Sequence, residues 1–156
     1  MFDWNEIKAK ADSFLNDASR TIKQYTPENW SKEKQFVNAL VASIALMTVA
    51  DKRVDTREVK SAMDIINQID QIAELNMQKE AIELFELHLE KLLPNVENGI
   101  KLTIETGKLL GDVAKVKAYP EYPPMVINLI EYLASVDGNI SEEEIAMKKK
   151  LVETLS

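Results

Sequence analysis

The sequence predicts an all-α fold, a bundle of roughly seven helices, and three observations carry that reading. The 156 residues hold only 4 Gly and 5 Pro, so helix-breaking positions are scarce. Ala, Leu, Ile, Glu and Lys, which lose little rotamer freedom in a helix, are plentiful. Apolar residues make up 46% of the chain and charged residues 29%, the balance of a globular protein rather than a disordered one. The length suits one domain over 1–156, because two smaller ones would bury too little core apiece.

The helices follow from apolar spacing. Trp4, Ile7, Ala11, Phe14, Leu15, Ala18 and Ile22 form one stripe of an amphipathic first helix ending near Tyr25. Packing against its own bundle explains that stripe, because the segment lacks the basic face of an anionic-lipid binder. Thr26, Pro27, Glu28 and Asn29 break the pattern, and Ser31 caps a second helix beginning near Lys32. From Val37 to Ala50 only Asn38, Ser43 and Thr48 interrupt an apolar run, which places this helix in the middle of the bundle. It is too short for a bilayer, which needs ~20 apolar residues.

After the charged turn at 50–58, Val59, Met63, Ile66, Ile69 and Ile72 mark a third helix. Met77, Ala81, Leu84, Phe85, Leu89 and Leu92 mark a fourth, stopped by Pro94. A fifth runs from Val96 to Val116, weakened by Gly99, Gly107 and Gly111. The Gly107-x-x-x-Gly111 spacing, with charged Lys108 and Asp112 beside it, predicts close packing of two soluble helices rather than a membrane span. The three prolines of 118–124 predict a loop, in which Tyr119 and Tyr122 wrap the bundle or offer a partner platform. Met125 to Ala134 is a second greasy helix, and after the turn at 136–144 the last helix runs to about Leu155.

Charge and residue inventory exclude whole classes of function. The formal net charge of −7 repels nucleic-acid phosphates, so no nucleic-acid partner is expected. With no Cys and one His, thiolate sites, thiol nucleophiles and histidine-dependent triads lack their parts, and no nucleophile elbow or glycine-rich phosphate loop is present. The chain is therefore not expected to be an enzyme. His88 lies at helical steps from Leu84, Phe85 and Leu92 and reads as a core-edge histidine. Di-iron carboxylate chemistry is excluded, since Phe85 stands three before His88 where a Glu is required. The N-terminus lacks a basic stretch followed by an apolar core, so a cytoplasmic location without membrane insertion is expected.

An internal two-fold repeat gives the chain its most specific signal. Asp51 matches Asp137, Val54 matches Ile140, Glu58 matches Glu144 and Ile44 matches Ile130, all at a spacing of 86 residues (137 − 51, 144 − 58). The repeat units, about 32–75 and 122–156, are each a helix-turn-helix with an acidic turn. Two such units facing each other bring Asp51, Glu58, Asp137 and Glu144 toward one point. Convergent carboxylates demand raised pKa values or a cation, and oxygen-only ligation suits Ca²⁺, Mg²⁺ or Mn²⁺.

The stretch from Asp137 to Glu144 matches the second half of an EF-hand loop, with Gly138 and Ile140 in place. Leu133 and Ser135 stand where the first oxygen ligands belong, and the first copy has Met47, Val49 and Lys52 at the matching places, so a true EF-hand pair is not expected. The competing reading is capping: Ser141 with Glu144 forms a capping box, Asp55 with Glu58 a weaker one, and acids in a first turn suit the helix dipole.

The pattern of greasy helix, A-x-x-D-G-x-[IV]-x-x-x-E and amphipathic helix, occurring twice, resembles the tellurite-resistance TerB family. The second copy carries Ala134, Asp137, Gly138, Ile140 and Glu144; the first keeps Asp51, Val54 and Glu58 but has Thr48 for Ala and Lys52 for Gly. The resemblance implies an all-helical domain with an acidic metal centre, acting as a stress-response adaptor or sensor toward protein partners, membrane-associated stress proteins among them. By matching positions the metal ligands would be Asp51, Glu58, Asp137 and Glu144, with Asp55, Asn139 and Glu143 as outer ligands. Lys52 beside Asp51 weakens the first half-site, because its ammonium competes with a cation.

Overall fold

A computed structural model describes residues 30–50, 56–136 and 140–156. The expected first helix, the Asp55 half of the weaker capping box and the centres of both acidic turns lie outside the described residues. Those described form seven α-helices: α1 (Lys32–Val49), α2 (Thr56–Gln68), α3 (Asp70–Glu74), α4 (Gln78–Leu92), α5 (Gly99–Ala114), α6 (Tyr122–Val136) and α7 (Glu142–Leu155). Two short 3₁₀ segments, Leu93–Asn95 and Lys115–Ala118, follow α4 and α5. Among these residues no helix is long and apolar enough to cross a membrane.

Helix α1 is the axis of the fold. It packs against α2, α4, α5, α6 and α7 and is buried on nearly every side. Ser31 caps it as expected, its hydroxyl accepting from the Lys34 amide at 3.2 Å. A helix this enclosed must satisfy its polar interruptions within the protein. The hydroxyls of Ser43 and Thr48 donate to the carbonyls of Ala39 and Ile44, both at 2.7 Å, and Asn38 meets His88 across the α1–α4 contact.

The expected third helix is two. Ile69 takes an extended backbone (φ −74°, ψ 113°) between α2 and α3. Asn76, at φ 56°, then ends α3 in a Schellman turn, in which the Met77 amide donates to the Ile72 carbonyl and the Asn76 amide to that of Ala73. The break and the turn leave Ile66 and Ile72 both fully buried. Asparagine tolerates the left-handed conformation that closes the turn.

The stretch at 118–124 is not all loop. Helix α6 begins at Tyr122, so Pro123 and Pro124 lie in its first turn. Amides there have no intrahelical acceptor, and a proline deletes nothing the helix needs. Tyr122 is buried and stacks on Phe36 of α1, with ring centroids 4.2 Å apart and planes 10° apart. Tyr119 meets Tyr122 edge-on at 5.8 Å. Exposed Lys32 and Glu121 pair at 3.7 Å beside the stack. Helices α1 and α6 therefore start side by side.

Helix α5 corrects another expectation. Among the described residues its G-x-x-x-G face does not pack: Gly107 and Gly111 are exposed, and a Cβ at either would meet nothing within 4 Å. The helix is held from its other side, where Leu109 and Val113 are buried.

Candidate functional site

The 86-residue spacing of the sequence also relates buried positions of α1 and α6. Phe36 and Tyr122 are 86 residues apart (122 − 36), the separation of Asp51 and Asp137. Leu40 with Val126 and Ile44 with Ile130 keep the same spacing, and all four are buried. From the stacked rings α1 runs on to Val49 and α6 to Val136, thirteen and fourteen residues further (49 − 36, 136 − 122), or about 20 Å of helix in each.

The second helices do not keep the correspondence. Val59 of α2 is fully buried, whereas its match Ile145 of α7 is 51% exposed. Helix α2 buries Val59, Ala62, Met63 and Ile66, while α7 buries Met147, Leu151 and Leu155. The two helices thus turn different faces inward, and their acids differ accordingly.

Glu144 is half-buried at the start of α7 and closes a complete capping box. The Ser141 hydroxyl accepts from the Glu144 amide at 3.1 Å. Oε1 of Glu144 accepts in return from the Ser141 amide at 3.4 Å and from its hydroxyl at 3.1 Å. Glu58 sits exposed in the first turn of α2 and takes part in an interaction of its own. Glu143 is exposed on α7. Asp51, Asp55, Asp137 and Asn139 lie outside the described residues. Among the described residues no three His, Asp or Glu side chains gather closely enough to hold a metal ion.

Sequence reasoning missed a buried polar pair. His88 Nε2 lies 2.8 Å from Asn38 Oδ1 with both residues enclosed, so the ring donates from Nε2 to the amide oxygen. Burial, assisted by the positive charge of Lys91, lowers the His88 pKa to about 3. The ring is neutral at physiological pH, which suits a fixed hydrogen-bond donor and not a proton shuttle. The visible signal was Asn38 itself, the one amide in the apolar run from Val37 to Ala50. Glu83 and Glu86 are buried on α4 as well, and both take part in polar interactions.

Compared with protein-family models, curated proteins and solved structures, the chain matches none. The resemblance to the TerB family rests on the motif residues named above.

Proposed function

We propose that this chain is a helical adaptor whose two acidic turns together bind a hard divalent cation, Ca²⁺, Mg²⁺ or Mn²⁺, and present the bound state to protein partners. The observation that supports it best is the common start of α1 and α6. Asp51 and Asp137 each follow the stacked ring of their unit by fifteen residues of sequence (51 − 36, 137 − 122), a matched spacing that supports pairing them as ligands. Glu144 keeps Oε2 outside the capping box and can serve a cation with it, while Glu58 is the weakest of the four ligands, being exposed on the flank of α2. The TerB resemblance supplies the stress-response setting and membrane-associated stress proteins as the partners to try first.

A second reading has its own support. The complete capping box accounts for Glu144 without a metal, and the unequal faces of α2 and α7 argue against a symmetric four-carboxylate centre. On that reading the protein is a metal-free interaction module. Calorimetric titration of chelator-treated protein with each cation separates the two, using Asp51→Asn, Asp137→Asn and Glu144→Gln. Glutamine serves a capping box as well as glutamate does, so Glu144→Gln keeps the fold while removing a ligand. Saturable binding lost with either Asp variant and weakened by Glu144→Gln upholds the cation site. Absence of saturable heat in folded wild-type protein leaves the metal-free module.

A further inference from the structure

Helix α5 carries two apolar lines. One, with Leu109 and Val113, faces the bundle. The other runs through Ile100, Ile104, Gly107, Gly111 and Ala114, at steps of four, three, four and three, which is the seam spacing of a coiled coil. This second line faces outward: Ile100 is 77% and Ile104 51% exposed, and the space over Gly107 and Gly111 is open. At the start of the helix Ile100, Thr103 and Ile104 line a shallow surface depression with Glu97, Asn98 and Gly99. Lys101 and Lys108, seven residues apart, flank the seam on one side, and Lys115 follows after seven more at the start of the 3₁₀ segment. Lys108 pairs with Glu105 of its own helix at 3.4 Å, an exposed pair of little strength.

We infer that this outer seam of α5 docks an amphipathic helix of a partner protein, one with large apolar side chains along its seam and Asp or Glu beside them. Large side chains fit over Gly107 and Gly111, where the absence of a Cβ lets another helix approach closely. Acids on the partner's flank meet the lysine row. A second copy of α5 lacks that complementarity. Paired antiparallel, the lysine rows face each other, Lys101 against Lys108; paired parallel, Lys108 and Lys115 face Thr103 and Leu110, neither of them acidic. The inference deepens the adaptor part of the function proposed above and is independent of the cation site. Cation binding without peptide binding would overturn this inference alone, and the reverse would overturn the metal centre alone.

The test uses the full chain and two designed helical peptides, both with a leucine seam, one flanked by glutamates and the other by lysines. Binding is followed by fluorescence anisotropy and located by amide chemical-shift changes in isotope-labelled protein. The acidic peptide is expected to bind at least about ten-fold more tightly than the basic one, to weaken as salt is raised, and to shift amides within 97–118. Ile104→Glu, and separately the double variant Gly107→Ala, Gly111→Ala, should each weaken binding by about ten-fold or more. The alanine pair favours the helix, so its loss of binding cannot be assigned to unfolding. Equal binding of the two peptides, no binding, or binding indifferent to these variants overturns the inference. So does a concentration-dependent dimer in sedimentation that Ile104→Glu abolishes, since the seam would then be covered by a second copy.

Discussion

At His88 the protein commits a titratable ring to a structural hydrogen bond, and that choice ties stability to pH. In the unfolded chain the imidazole titrates near its ordinary value of 6.5, while in the fold burial holds it near 3. Above pH 6.5 both states carry a neutral ring and the Asn38 bond is fully available. As pH falls from 6.5 toward 3 the unfolded state takes up a proton that the folded state refuses, so stability declines by up to ~1.4 kcal/mol per pH unit. Urea unfolding of wild type and His88→Gln between pH 7.5 and 4.5 checks this: the variant is less stable at pH 7.5, and the difference narrows toward acid. A difference constant with pH would refute the assignment. Ser141 offers a simpler test, since Ser141→Ala deletes the acceptor for the Glu144 amide and should cost ~0.5–2 kcal/mol in chemical denaturation. Exposed Glu142 and Glu143 of the same helix should tolerate Gln with changes within ~0.5 kcal/mol.

Among the elements, α5 holds stability in reserve on its outer side. Glycine in a helix interior costs ~0.5–1 kcal/mol relative to alanine, and a Cβ at 107 or 111 meets only open space. Gly107→Ala and Gly111→Ala should therefore each raise stability by about that amount, measurable as a higher urea midpoint at unchanged slope. A loss of stability at either position would mean that the face is covered in solution. The amphipathic spacing of α7 was legible because that helix has one wet side. The division between α2 and α3 was not, because Ile69 continues the apolar rhythm of Ile66 and Ile72 while its backbone turns extended. Spacing reports which side is apolar and says nothing of where the backbone changes direction.

Among the described residues burial concentrates on α1, and the Phe36–Tyr122 stack joins the starts of α1 and α6. Truncating a buried aromatic costs ~3–5 kcal/mol, so Phe36→Ala should fall in that range, and Tyr122→Phe, which keeps the stack, should cost far less. If the stack sets the relation of the two acidic turns, Phe36→Ala should also weaken cation binding in protein that is still folded, whereas an equally destabilising change remote from α6, such as Ile82→Ala on α4, should leave it intact. Titration of both variants at low temperature, with folded fraction followed by circular dichroism, separates the two effects.

By itself the sequence determined the helical class, the central place of α1, the caps at Ser31 and Ser141 and the spacing of 86 residues. These follow from local properties: rotamer entropy, apolar period and short-range hydrogen bonds act within a few residues of chain, and the spacing is arithmetic. Only the tertiary structure decided that Tyr122 belongs to a helix and stacks on Phe36, that His88 meets Asn38, that α2 and α7 turn unequal faces inward, and that the glycines of α5 look outward. Each of these depends on which surfaces meet across long stretches of chain, and burial, not local preference, selects among faces that look equally apolar in one dimension.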